Sequence, residues 1–287
     1  MNAIFKREFS SYMHNVTGLL FIAAIVLFEG IFFTAENLLS QSPNFEYSLA
    51  SLQIVLIFSV PVLAMRSLAE DKRSRVDQLL YSLPLPLWQV VLGKYLAMIA
   101  VFGVACGIIA LYPLILCFFG TVSLAAPYCS LIAFFLLGSA LLALCMFLSS
   151  LTESQIIAAV VGVGGVLLLS LMDTLALIVP SSAFASLIAL IVLAVLLLVL
   201  LGLLTKNLRL TAIVAAVVLG AMILVYLIKP SLYAGLFYDI VSGMSLFGRF
   251  TTFSYGIFDV ATVVYDLSFI AFFMYLTYQV LEKKRWS

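Results

Sequence analysis

MRSLAEDKRSRVDQLLYSLPLPLWQVVLGK, from Met65 to Lys94, is the stretch on which the reading of this chain turns. Seven charges crowd between Arg66 and Asp77 in a protein of 287 residues that is 65% hydrophobic. Val76, Leu79, Leu80 and Leu83 recur at i, i+3, i+4 and i+7, which is one apolar face of a helix. On another face Arg66, Glu70, Arg73 and Asp77 follow at helical steps with alternating sign, so opposite charges meet. Pro84 and Pro86 end that helix, because each lacks a backbone donor and clashes with the preceding turn. Trp88 stands at the mouth of the next apolar run, where an indole favours the membrane–water boundary. A short amphipathic helix over Arg66–Leu83, flanked by spans, suits lying on a bilayer and presenting charge to a soluble partner. A solvated loop that only fixes topology fits these residues equally well.

Outward from this stretch, composition sets the class. Charged residues make up 9% of the chain and the mean hydropathy is +1.26, the signature of an integral membrane protein. A formal charge of +1 excludes a strongly basic nucleic-acid binder and an acidic tail. Cys106, Cys117, Cys129 and Cys145 lie in or beside apolar runs without a C-x-x-C pair, and read as small hydrophobes rather than a disulfide or metal framework. His14 is the only histidine. The first apolar run is long for a signal peptide and lacks a small-x-small cleavage site, so it reads as an uncleaved anchor.

A spanning helix needs about 20 apolar residues. On that criterion eight runs qualify: Val16–Thr34, Ala50–Met65, Val90–Phe119, Cys129–Ser150, Ile156–Val179, Ala185–Leu204, Leu210–Ile228 and Ala261–Leu281. The third is too long for one perpendicular span and must tilt, protrude around Gly93-Lys94, or bend at Pro113. With both termini inside, Lys6, Arg7, Arg66, Lys72, Arg73, Arg75, Lys94, Lys206, Arg209, Lys283, Lys284 and Arg285 face the cytoplasm. These are twelve of the fourteen Lys and Arg, leaving Lys229 and Arg249 outside, as the positive-inside rule favours.

Met1 to Asn15 puts Phe5, Phe9, Tyr12 and Met13 on one face and Lys6, Arg7, Ser10 and His14 on the other, an interfacial helix. Ala35 to Leu49 reads as a polar external connector. From Lys229 to Tyr255, apolar residues at helical spacing predict one or two short helices in the outer interface. Gly103-x-x-x-Gly107 and Gly162, Gly164 and Gly165 fit close helix approach, or glycines merely tolerated in membrane helices.

The motifs of chemistry are missing from the sequence. There is no phosphate-binding loop, since Gly93-Lys94 is followed by Tyr95 and lacks the upstream glycine. Nor is there an H-E-x-x-H or G-x-S-x-G motif. The chain is expected not to be an enzyme, to bind no cofactor or metal, and to rely on another polypeptide if ATP drives it. Among the acids in apolar runs, Glu29 reads either as lining a translocation path or dimer seam, or as a hydrogen-bonded structural acid. Asp173 and Asp266 lie near span ends and are expected to reach water.

Arg66, Ala69, Glu70 to Arg73, Asp77, Leu79, Leu80, Leu83-Pro84, Trp88 and Gly93-Lys94 together resemble the cytoplasmic coupling segment of ABC type-2 permeases. The closest branch is the one serving gliding motility and copper processing. Ile4 to Phe9 with Tyr12 is similar to that family's N-terminal interfacial helix. Phe247, Arg249 and Phe250, Gly256 to Asp259, Tyr265, Leu267-Ser268, Leu276-Thr277 and Leu281 to Trp286 resemble its C-terminal end. The chain departs from the pattern at Arg75-Val76-Asp77, where the family has Gly-Thr-Leu-Glu, and at Pro86.

The resemblance implies an all-α membrane bundle with six core spans, an inserted pair, an interfacial helix, a cytoplasmic coupling helix and short outer helices before the last span. It makes residues 1–287 a single permease domain, with an interfacial helix at 1–15, a coupling segment at 66–88 and an outer gate segment at 229–260. It places ATPase coupling on Arg66, Glu70, Asp71, Lys72, Arg73, Asp77, Leu79 and Leu80, and Arg249 and Asp259 at the outer gate. Glu29 and Asp173, from their place in apolar runs, stand beside them as candidates for the translocation path. ATP and magnesium belong to a partner ATPase. A second permease copy or a related permease, a membrane-anchored auxiliary protein and membrane lipids complete the expected partners, in a cell membrane. Two other functions stay open: a scaffold that recruits a cytoplasmic protein, and an ion-coupled transporter using Glu29 and Asp173.

Overall fold

Long apolar runs without water to satisfy the backbone must close their hydrogen bonds internally, so helices are the available solution. The computed structural model describes residues 2–73, 86–119, 123–178, 182–205, 217, 218, 220, 222 and 224–286. Its helices are α1 (Asn2–His14), α2 (Val16–Phe33), α3 (Phe45–Arg73), α4 (Leu87–Ile109), α5 (Tyr112–Leu116), α6 (Ala125–Leu151), α7 (Gln155–Ser170), α8 (Met172–Ile178), α9 (Ala183–Thr205), α10 (Leu236–Met244), α11 (Leu246–Ser254) and α12 (Val260–Trp286). Among the described residues five helical stretches are long and apolar enough to cross a membrane: Val16–Leu39, Phe45–Arg73, Leu87–Leu116, Ala125–Leu151 and Val260–Lys283.

The chain forms two compact units, Met1–Ser170 with Leu246–Ser287, and Leu171–Ser245. In the first, α6 is the central helix and packs against α3, α4, α7, α11 and α12. Its Phe134, Leu137, Ala140, Leu141, Leu142 and Ala143 are buried. Gly138 on α6 has no room for a side chain, because a Cβ would meet the Phe102 ring of α4 at 2.2 Å. That glycine lets Phe102 stack on Phe135 at 5.7 Å. Of the glycines singled out in the sequence, Gly162 lies against Pro61 of α3, whereas a Cβ at Gly107 would meet nothing within 4 Å.

In the second unit Tyr233 is buried against Leu187 and Leu190 of α9. Its hydroxyl donates to the Met222 carbonyl at 2.9 Å. Gly235, at φ 80°, turns the chain into α10.

The structure revises three expectations. Arg66 to Arg73 is no separate surface helix but the last two turns of α3, continuous through Pro61. The fifth apolar run is broken at Leu171 into α7 and α8. Near that break the Ser170 hydroxyl bonds the Leu167 carbonyl, a back-bond that bends helices. The connector after α2 is largely helical: a π-turn over Thr34–Leu39 buries Asn37, whose amide donates to the Ser42 carbonyl at 3.0 Å. The long third run bends as one of its alternatives required, since α4 stops at Ile109 and α5 restarts with Pro113 in its first turn. The sixth run is α9, 23 residues long. Most of the seventh run, the basic turn from Lys206 to Arg209, and Asp77, Leu79 and Leu80 lie outside the described residues. The short helices expected before the last span are α10 and α11, preceded by a 3-10 turn at Pro230–Tyr233.

Candidate functional site

The charged tail of α3 is laced to three other helices, and through one of them to α1. Pro86, extended at φ −67° and ψ 131°, precedes α4, and two turns later Lys94 points inward with only 2% of its side chain exposed. A lone ammonium at that depth must be matched or neutralised. Asp71 of α3 holds its Nζ at 2.7 Å and Glu8 of α1 at 3.1 Å. Glu8 also accepts from Arg7 at 2.6 Å. Burial works against the Glu8 carboxylate, but Lys94 and Arg7 outweigh it and hold its pKa below the ordinary value. Two carboxylates draw the lysine inward, between α1 and α3.

One turn earlier, Arg66 grips Glu70 with both arms, at 2.7 and 2.9 Å, and donates to the Thr17 hydroxyl of α2. Lys72 donates to the Ser150 carbonyl at the end of α6. Ser149 of α6 accepts the Ala69 N–H at 3.2 Å. A polar cavity of about 280 Å³ opens here, lined by Arg7, Glu8, Tyr12, Arg66, Glu70 and Asp71. Of the residues assigned to ATPase coupling, Arg66, Glu70, Asp71 and Lys72 therefore face neighbours in their own chain, while Arg73 is exposed.

Glu8, Lys94, Ser149 and Ser150 were not among the site residues read from the sequence. The signal for Lys94 was present: a single lysine two turns into an apolar run demands a partner. Its partner Glu8 is 86 residues away, and no spacing rule connects them.

Residues 31–229 match the family described as ABC-2 family transporter protein. The chain belongs to the ABC-2 transporter family. It is a multi-pass membrane permease subunit of an ABC transporter, and permeases of this family typically work with an ABC ATPase and often as dimers. No curated protein matches the chain at a significant level.

The remaining candidate residues of this ABC-2 permease sit apart from the α3 tail. Glu29 is fully buried. Its Oε1 accepts from Ser48 of α3 at 3.0 Å, and its Oε2 has no hydrogen-bond partner among the described residues. Asp173 belongs to the second unit, where it accepts from the buried Ser245 hydroxyl at 2.7 Å. Asp259 caps α12, accepting from the Ala261 N–H at 2.9 Å and the Thr262 hydroxyl at 2.7 Å. The Thr262 bond, then the Ala261 one, holds its pKa below the ordinary value. Arg249 on α11 stacks its guanidinium over the Tyr265 ring, 4.1 Å from the centroid. Asp266, expected to reach water, is instead 3% exposed, on a helix that packs chiefly against α6.

Proposed function

We propose that this ABC-2 permease is the membrane path of an ATP-driven exporter, coupled to its ATPase through residues 66–88. The observation that carries this reading is the Glu8–Lys94–Asp71 network. It ties the interfacial helix α1, the tail of α3 and the start of α4 into one block, on either side of the segment proposed to dock. A push on that segment is then delivered to α3 and α4 together rather than absorbed by a loop. ATP and magnesium are held by the ATPase, both termini are cytoplasmic, and a second permease completes the complex. The resemblance supports assignment to the gliding-motility and copper-processing branch, whose members travel with a membrane-anchored auxiliary protein.

The internal partners of Arg66, Glu70, Asp71 and Lys72 sharpen the docking proposal. They act as the frame, and the contact with the ATPase falls on Arg73 and the residues after it, including Asp77, Leu79 and Leu80. Reversing charge at a docking contact adds repulsion to lost attraction and costs several kcal/mol. Asp77→Lys with Leu79→Asp is expected to abolish co-purification of the ATPase while the permease still inserts and dimerises. Lys229→Glu is the control and leaves association unchanged. Full retention of the ATPase by the double variant overturns the coupling assignment.

A further inference from the structure

Two hollows open along the seam between α2 and α3. The polar one, at the end near α1, is the cavity bounded by Arg7, Glu8, Tyr12, Arg66, Glu70 and Asp71. The other is apolar, about 460 Å³ in volume, walled by Leu20, Ala24 and Phe28 of α2 and by Ile54, Phe58 and Val62 of α3. Helical spacing explains why they adjoin, since residues four apart stack on one face. Ile54, Phe58, Val62, Arg66 and Glu70 are therefore one stripe of α3, apolar for three steps and charged for the last two. Leu20, Ala24 and Phe28 form a matching stripe on α2. Leu20, Phe28, Ile54 and Phe58 are all exposed, so the groove opens outward along its length.

Length and charge together select an occupant. From Ile54 to Arg66 the stripe rises about 18 Å at about 1.5 Å per residue. One leaflet contributes about 15 Å of hydrocarbon, so the groove suits one acyl chain and its charged end falls at headgroup depth. That end carries both signs. Arg7 and Arg66 stand with Glu8, Glu70 and Asp71, and Lys94 bonds two of those carboxylates. Three cations against three carboxylates leave no excess positive charge to favour an anionic headgroup. A headgroup with a phosphate and an ammonium matches better. Among the described residues Arg66 spends three of its five N–H donors, on Glu70 and Thr17. The rest, with those of the 55% exposed Arg7, can meet a phosphate. Glu70 is the most open of the three carboxylates, at 40%, and can accept from an ammonium. A primary ammonium has N–H groups to donate, whereas a trimethylammonium has none.

We propose that the α2–α3 seam binds one phospholipid with a primary-amine headgroup. Its phosphate lies on Arg7 and Arg66, its ammonium on Glu70, and one acyl chain in the groove. Seated so, the lipid braces α1 against α3 beside the Glu8–Lys94–Asp71 network. The site stands independently of where the ATPase docks.

The test uses the full chain in phosphatidylcholine nanodiscs holding a trace of phosphatidylethanolamine with a photoreactive diazirine in one acyl chain. Adducts mapped by peptide mass spectrometry should fall between Leu20 and Phe28 and between Ile54 and Val62. Replacing half of the phosphatidylcholine by unlabelled phosphatidylethanolamine should suppress them about fivefold, as a preference of about tenfold for the amine requires. The same amount of phosphatidylglycerol should change little, and soluble phosphoethanolamine, which has no chain, should displace nothing. Ala24→Trp, which fills the groove, should cut the adducts at least fivefold. Glu70→Gln should keep the adducts at the same residues but erase the advantage of phosphatidylethanolamine. Equal adducts in all three lipid mixtures mean ordinary surrounding lipid and overturn the proposal. Stronger suppression by phosphatidylglycerol, or displacement by phosphoethanolamine alone, also overturns it. So does the absence of adducts on both helices, as a second copy seated on the seam would cause.

Discussion

Near the end of α3, Asp71 shares Lys94 with Glu8, and every carboxylate in that cluster has a cation beside it. Near the start of the same helix, Ser48 alone hydrogen-bonds to Glu29, which is more deeply buried than either. The contrast concerns which protonation state each place can hold. The cations beside Glu8 hold it ionised, and removing the ammonium between the two carboxylates leaves both desolvated and unmatched. A carboxyl with one hydroxyl partner and no bonded cation is suited to the neutral form, which can itself donate a hydrogen bond. The α3 tail is thus held by ionic contacts, and the Glu29 carboxyl by a single hydroxyl.

The most severe way to break this contrast is to remove its central cation. Lys94→Met strands Glu8 and Asp71 together, and breaking a buried pair in this way costs about 3–5 kcal/mol. The expected outcome is a large fall in the thermal unfolding midpoint of the detergent-purified permease, with α1 becoming accessible to protease. Replacing all three groups by neutral isosteres (Glu8→Gln, Asp71→Asn, Lys94→Met) should recover most of that loss, since no charge is left unpaired. Coupling to the ATPase should stay impaired in the triple variant, because the ionic tie between α1, α3 and α4 is gone. A single Lys94→Met as stable as the wild type would mean that the network contributes nothing to the fold.

At Glu29 the same logic gives a milder result. Glu29→Gln keeps a hydrogen-bonding group of the same shape and should change stability by less than about 1 kcal/mol. Glu29→Leu removes the acceptor, yet Ser48 still has the Phe45 carbonyl at 2.8 Å, so the cost is set by fit and stays near 1–3 kcal/mol. Reconstituted transport then separates the roles. Gln and Leu variants that both fold and both transport make Glu29 structural, whereas a folded Leu variant that fails to transport places it on the path.

How far the sequence foretells this follows from the range of each interaction. Runs such as Ala125–Leu151 announce themselves, because about 20 apolar residues in a row suit little but a membrane helix. The bend before Pro113 is local chemistry, and the sequence offers it as one of three ways to fit a run too long for one span. What the sequence could not assign is which charges turn inward. Arg66 to Arg73 has the pattern of a surface helix, but its partners Thr17, Lys94 and Ser150 lie on three other helices. Alternating charge looks identical whether its partners are solvent or another helix. Arg249 and Asp259 are singled out for the outer gate by resemblance alone. Their actual partners, the Tyr265 ring and the first turn of α12, depend on how α11 packs, which periodicity does not encode.

The smallest effect expected is a pH dependence carried by Glu8, and it tests the charged character of the α3 cluster directly. The folded-state pKa of Glu8 lies below the ordinary value, so folding favours its ionised form. Its contribution is fully present above the unfolded pKa of about 4.3 and is lost as pH falls through the lowered folded value. Thermal midpoints measured from pH 6 to pH 3 should therefore decline more steeply for the wild type than for Glu8→Gln, which has no proton to gain. The size is modest because burial of the carboxylate opposes the pull of Lys94 and Arg7. Asp259 also has a lowered pKa and adds to the decline in both proteins, so it cancels in the comparison. Parallel curves would show that Glu8 is no more ionised in the fold than in the open chain, and the ionic tie between α1 and α4 would lose its electrostatic basis.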